Sequence, residues 1–157
     1  MSPTTPRHRY LEVSAMARTL LKIVSKTHVL LYRLTGGRVG GTIRKAPVVL
    51  LTTTGRKSGQ PRTAPLLAMQ DGENMVVVAS NGGSDRHPVW WLNLQKQPEA
   101  DLQLGSEKKR VRAERANDEE KARLWPQIVE MYSGYAEYQK KTERTIPLVI
   151  LRAAGQD

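Results

Sequence analysis

Two residue types are missing from this chain altogether. Cysteine is absent, which removes thiol nucleophiles, disulfides, cysteine-ligated zinc and iron–sulfur clusters. The same absence fits a reducing cytoplasm. Phenylalanine is absent too, so a core must come from Leu, Val, Ile and Met with 3 Trp and 5 Tyr. Acidic residues are scarce: 15 Asp and Glu face 25 Lys and Arg, a formal net charge of +10. A surface of that sign draws polyanions, whether nucleic acid, anionic lipid or a phosphorylated ligand. No apolar run approaches the roughly 20 residues of a membrane span. Residues 1–10 lack a cationic start and apolar centre, so no secretory leader is expected. His8, His28 and His87 fall on different predicted elements without ligand spacing, and no metal site is expected. Ser80 has no His–Asp constellation near it in sequence, which leaves a hydrolytic triad without support. There is no G-x-G-x-x-G, no G-x-x-x-x-G-K-[ST] and no βαβ rhythm, which argues against a Rossmann sheet.

What is present fits one domain of 157 residues, large enough for a single core. Residues 1–10 read as a loose tail. Residues 11–35 read as a basic amphipathic helix, with Met16, Leu20, Val24 and Leu31 near one face and Arg18, Lys22, Lys26 and Arg33 elsewhere. Gly36 and Gly37 stop it. Such a helix either packs on its own domain or lies on an anionic membrane. Strands are predicted over 48–53, 62–70 and 74–80, the last two joined by Asp71-Gly72, a tight hairpin turn. Pro88 opens a short helix through Gln97. A second hairpin pairs 100–104 with 108–116 about Gly105-Ser106. Asn117 or Asp118 caps a helix carrying Leu124, Trp125, Ile128 and Met131. A short helical turn with Tyr132, Tyr135 and Tyr138 follows, then a final apolar strand over 146–151. Short antiparallel strands with few helices predict a barrel or sandwich, mainly β with peripheral helices.

Three segments carry candidate chemistry. The first is the loop from Thr52 through Thr54, Gly55, Arg56, Lys57, Ser58 and Gly59 to Arg62, at the junction of two predicted strands. Its glycines free the backbone to turn amides inward, Arg56 can grip a phosphate bidentately, and Lys57 and Ser58 add a charge and a hydroxyl. It is either an anion clamp or a solvated basic hairpin loop. The second is Ala79-Ser80-Asn81-Gly82-Gly83-Ser84 with the Pro88-Val89-Trp90-Trp91-Leu92-Asn93 helix behind it. The two glycine-bearing strand ends could cradle one ligand from two sides, or be plain turns with Trp90 and Trp91 in the core. The third is the spacing-of-three run Tyr132, Tyr135 and Tyr138, which lines either a pocket over a planar ligand or a packing ridge. The Lys108-Lys109-Arg110 run reads as a solvated strand edge, with nucleic-acid contact the minor reading.

Together LLTTTGRKSGQPR, VVVASNGGSDRHPVWWLNLQKQP and WPQIVEMYSGYAEYQKKTERTIPLVIL, in this order and spacing, resemble the deazaflavin-dependent nitroreductases of actinobacteria. The likeness spans about residues 48–151. It implies a split β-barrel with peripheral helices, related to the flavin-reductase and FMN-binding barrels. The barrel domain would occupy residues 39–157, with the tail and basic helix over 1–38. It implies reduced coenzyme F420 as hydride donor and a quinone-like or nitroaromatic acceptor. The phosphate and acidic tail would sit near Arg56, Lys57, Ser58 and Gly59, with Thr54 and Arg62 beside them. Ala79, Ser80, Asn81, Gly82 and Gly83 would line the deazaflavin, with Pro65, Leu67, Val89, Trp90, Trp91, Asn93 and Tyr132 close by. Ser80, Tyr132 and Tyr135 would donate hydrogen bonds to the acceptor, and Tyr138 would form wall and lid. Relatives often carry lysine at position 81 and an aromatic at 67, where this chain has Asn81 and Leu67. A cofactor that carries the hydride agrees with a chain lacking an acid–base pair, a metal site and a nucleophile. Alternatives are an FMN- or haem-binding barrel, or a basic nucleic-acid-binding module. The expected location is cytoplasmic, with peripheral attachment of the N-terminal helix to the inner membrane face as a second expectation; no nucleic-acid partner is expected.

Overall fold

The computed structural model describes residues 22–43 and 46–155. The expected tail and the first part of the N-terminal helix, through residue 21, lie outside the described residues. A helix, α1, occupies 22–35. It is followed by β1 (Thr42–Ile43), β2 (Ala46–Thr54), β3 (Pro61–Asp71), β4 (Asn74–Val78), α2 (Val89–Lys96), β5 (Glu99–Leu104), β6 (Glu107–Arg115), α3 (Asp118–Met131), α4 (Gly134–Lys140) and β7 (Leu148–Ala153).

All strand pairings are antiparallel, in the order β2-β3-β4-β7-β6-β5, and β5 returns to β2 to close a six-stranded barrel. The closing seam is short: Leu50 faces Gln103, Leu51 faces Leu102 and Thr52 faces Asp101. β1 extends the sheet by pairing only with the start of β2.

Apolar runs such as Val48–Leu51 form strands because both of their faces find cover. Val49, Leu51, Met75, Val77, Val149 and Leu151 point into the barrel, where α2 adds Trp90, Trp91 and Leu94. Their neighbours Val76, Val78, Leu148 and Ile150 point outward and meet Leu124 and Ile128 of α3. Each such buried aliphatic stabilises the fold by about 1.5–3 kcal/mol. On the β2 side, Tyr32 of α1 packs against Val48 and Leu50. It is fully buried. Its hydroxyl donates to the Val48 carbonyl at 2.8 Å and accepts from the Gly105 amide at 2.7 Å. One phenol therefore ties α1 to β2 and to the β5–β6 turn.

The expected β-rich barrel with peripheral helices is what the chain forms. Several boundaries move. β4 ends at Val78, because Ala79 bonds to the Pro147 carbonyl and the chain then turns. The last strand begins at Leu148 rather than 146 and runs to Ala153, where Val111–Arg115 supply its partners. Asn117, not Asp118, caps α3. Tyr132 lies at the C-cap of α3, two residues before the short helix it was expected to share. Lys108 and Lys109 pair with β5 alone, since β7 reaches β6 only from Val111, and the Arg110 carbonyl takes one further bond, from the Ala154 amide.

Candidate active site

β4 delivers the chain to a tight turn. Ser80 is buried, and Asn81, Gly82 and Gly83 then take φ values of 46°, 63° and 81°, a left-handed run that L residues rarely adopt. Beyond it, Pro88 starts α2 and aims Trp90 toward the same space.

The opposite wall is made of phenols. α3 stops at Met131, Tyr132 breaks the helix, and α4 restarts at Gly134. Gly134 is required there: a Cβ would stand 2.4 Å from the Tyr132 ring. The three rings pack mutually, Tyr132 on Tyr135 edge-to-face at 5.0 Å and Tyr138 at 6.2 and 6.1 Å from them. The Tyr132 and Tyr138 hydroxyls meet at 3.3 Å. Burial, chiefly, and the two neighbouring phenols push the Tyr135 hydroxyl up to about 12, so it stays a neutral donor. Its hydroxyl has no hydrogen-bond partner among the described residues. Between the walls lies an open cavity of about 530 Å³, floored by Pro65, Leu66, Leu67 and Val78 and flanked by Ile43. That size suits a drug-sized or cofactor ring, and apolar walls with a few polar groups are what small-molecule sites show.

The basic loop between β2 and β3 builds a second cavity, of about 520 Å³. The Gly55 amide donates to the Gln60 carbonyl and the Gly59 amide to the Gly55 carbonyl, with Gly59 at a φ of 68°. Asn93 of α2, buried, locks the loop. Its Oδ1 accepts from the Arg56 amide at 3.1 Å and Nη1 at 3.4 Å, and its Nδ2 donates to the Thr53 hydroxyl at 3.0 Å. Lys96 Nζ donates to the Arg56 carbonyl at 3.0 Å. Thr54, Arg56, Lys57, Ser58, Gly59 and Lys96 line this cavity, with Glu99 at its rim. Cations, a hydroxyl and turned amides make it a site for an anion.

The structure therefore sorts the expected site residues. It brings Ser80, Asn81, Gly82, Pro65, Leu67, Trp90 and the three tyrosines to one cavity. It brings Thr54 and 56–59 to another. The two strand ends do not share a pocket; α2 runs between them, with Trp90 in one wall and Lys96 in the other. Six residues of helix rise separate those two, about 9 Å. Arg62 bonds Ser58 Oγ at 3.4 Å from beside the loop. Ala79 and Trp91 belong to the barrel interior, Val89 faces solvent, and Asn93 holds the loop rather than opening on a cavity. Gly83 presses on α4, where a Cβ would meet the Tyr138 carbonyl at 2.8 Å.

Sequence reasoning missed Ile43, Leu66, Lys96 and, above all, Arg144. Arg144 caps the turn after β4 with five hydrogen bonds. Nothing in the linker Thr142-Glu143-Arg144 distinguishes it from a solvated charge until the fold is known. Lys96 was legible in principle as a cation ending the helix after the tryptophans.

Residues 24–153 match the F420H(2)-dependent quinone reductase family. An F420H(2)-dependent quinone reductase of Mycobacterium tuberculosis H37Rv is 40% identical over 130 residues, which cover 80% of this chain and 87% of that protein. A second protein of that strain, provisionally given the same name, is 44% identical over 116 residues, covering 73% of this chain and 98% of its own. The solved F420-H2 dependent reductase FDR-A is 40% identical, with a TM-score of 0.63 over 68% of this chain and 94% of its own. The barrel, the strand-end turn, the basic loop and these likenesses agree: the chain belongs to the F420H(2)-dependent quinone reductase family.

Proposed function

We propose that this reductase passes the hydride of reduced coenzyme F420 to a quinone held against the tyrosine wall. Membership of the family makes reduced F420 the donor, and the residues present suit it. A flat deazaflavin fits between the Ser80–Gly82 turn and the phenols. Its phosphate and acidic tail suit the Arg56, Lys57, Ser58 and Lys96 cavity about one short helix away. The carrying observation is the open cavity of about 530 Å³ with a buried, neutral phenol on one side and a left-handed turn on the other.

When bound, the cofactor supplies the hydride equivalent, and the quinone takes up a proton as well to become a quinol. The chain's residues place and stabilise. The Tyr135 phenol, holding its proton across the neutral range, donates to the acceptor oxygen as charge develops there. Ser80 donates from the facing wall. Tyr132 and Tyr138, joined hydroxyl to hydroxyl, keep the wall rigid and screen the ring from water. The same donors suit a nitro group, so nitroaromatic and nitroimidazole acceptors belong to this reading.

A membrane contact by the N-terminal segment, residues 1–38, is also part of it. Ile23, Val24, Leu30, Leu31 and Leu34 of α1 are exposed. Lys22, Lys26 and Arg33 stand among them, the combination that seats helices on anionic lipid. No helix among the described residues is long and apolar enough to cross a membrane. Co-sedimentation with anionic vesicles of the full chain and of a Leu30→Glu, Leu34→Glu variant, both positions exposed, tests this; equal pelleting of the two forms retires it.

The central test is a titration of the purified protein with F420, FMN and duplex DNA, followed by oxidation of reduced F420 with menadione and with a nitroimidazole. Saturable binding of F420 alone and turnover with menadione are expected. No F420 binding would retire the assignment, and turnover confined to menadione would remove the nitro acceptors.

A further inference from the structure

Between α4 and β7 two side chains reach back across the molecule to the turn after β4. Arg144 Nε donates to the Ser84 carbonyl at 2.7 Å and Nη2 to the Ser80 carbonyl at 2.7 Å. Both terminal nitrogens donate to the Ala79 carbonyl at 3.2 Å. Nη1 also meets Nδ1 of His87 at 3.2 Å. Two residues earlier, the Thr142 hydroxyl donates to Asp85 Oδ1 at 2.8 Å. The partners of Arg144 are carbonyls and an imidazole, not carboxylates. The guanidinium serves here as a planar fork of donors, a geometry that a lysine ammonium cannot copy.

The turn it grips is one the backbone would not keep unaided. Three successive residues hold positive φ, one of them, Asn81, not a glycine. Gly83 of that turn lies against the Tyr138 backbone with no room for a side chain. The 142–144 connector, the turn and α4 thus form one unit, and that unit supplies both walls of the tyrosine cavity.

We propose that Arg144, with Thr142 beside it, is a positioning clasp that sets the gap between the Ser80–Gly82 turn and the phenol wall, and thereby the affinity for the flat ligand. The ligand's identity rests on the function proposed above; the clasp itself does not.

The test uses the full chain, free of ligand and then titrated with oxidised F420. In R144K, amide hydrogen exchange over residues 79–87 should quicken about tenfold or more, while β2 and β7 amides keep their protection. The dissociation constant for F420 should rise by a similar factor. Exchange over 79–87 at the wild-type rate overturns the clasp. Local loosening with unchanged F420 affinity overturns it too, because the gap would then be immaterial to the ligand. Should R144K loosen the whole barrel, Thr142→Val decides, since it removes the hydroxyl's two bonds, to Asp85 Oδ1 and from the Arg144 amide, and keeps the guanidinium. Faster exchange confined to 79–87 supports the clasp, and wild-type exchange overturns it. If the wild-type protein binds no F420, the ligand assignment falls while the exchange measurement still decides the clasp.

Discussion

Tyr135 and His87 show how much a single side chain owes to its surroundings. Tyr135 → Phe removes one hydroxyl from a packed ring, so the fold should hold and the acceptor step should suffer. Loss of one such donor costs about 10²–10³ in turnover where it faces developing charge. We expect a lower kcat with F420 affinity nearly unchanged; unchanged kcat would remove this phenol from the polar mechanism. His87 carries a pH dependence. Burial first, then the positive charge of Arg144 and Arg115, lower its pKa below the ordinary value of 6.5. Below that ordinary value the unfolded chain binds a proton that the folded state resists. Stability is therefore fully present above about pH 6.5 and declines as the pH falls toward the lowered folded value. Denaturant unfolding between about pH 7 and pH 5 should show that decline, and His87→Gln should flatten it. Neither residue's role is written in its local sequence. The spacing of the tyrosines announced a shared face, but the break at Tyr132 and the burial of Tyr135 depend on how α3 and α4 meet.

Elements, by contrast, were largely legible. The Asp71-Gly72 turn, the β-branched run in β2 and the alternation in β6 each specify local structure that the barrel then uses. α3 is the clearest case. Asn117 Oδ1 accepts from the Glu120 amide at 2.8 Å, and Glu120 Oε2 accepts from the Asn117 amide at 2.9 Å, the reciprocal cap that a sequence of this kind foretells. What could not be read is the second duty of that cap. Glu120 also takes Arg152 of β7 at 3.0 Å, and Arg123 grips Asp71 at the β3–β4 turn with two bonds of 2.8 Å. The helix that ends at Tyr132, the first ring of the tyrosine wall, is thus keyed to two strands at its first turns. Asn117→Ala should lower stability by about 1 kcal/mol, read as an earlier denaturant midpoint with an unchanged slope. A loss larger than 2 kcal/mol or none at all would show that the cap is not what fixes this end.

For the whole molecule, sequence order concealed the layout. The closing contact between β2 and β5 joins residues some fifty positions apart, and no periodicity reports such a partner. Nor could spacing reveal that the basic loop and the glycine turn open on different cavities. Charge, however, is organised on a scale visible in both. From residue 13 to residue 70 there is no acidic side chain, so the excess cations of this stretch stand unopposed on α1 (Lys22, Lys26, Arg33), in the basic loop (Arg56, Lys57) and at the start of β3 (Arg62). An anionic ligand should approach that side faster than neutral diffusion allows. The association rate for F420, measured by stopped flow, should fall as ionic strength rises from about 0.02 to 0.5 M, with the dissociation rate far less affected. A salt-independent association rate would show that this charge plays no part in capture.

The two neighbouring indoles have an optical consequence. Trp90 forms part of the cavity wall, while Trp91, with ring centres 6.5 Å away, is sealed inside the barrel. A conjugated ring laid against Trp90 would take up its excitation and dim its emission, whereas Trp91 would sense the event only across that short distance. The molecule thus contains its own occupancy gauge, and Trp90→Leu should remove its most direct reporter, leaving Trp91 and Trp125 to register whatever enters.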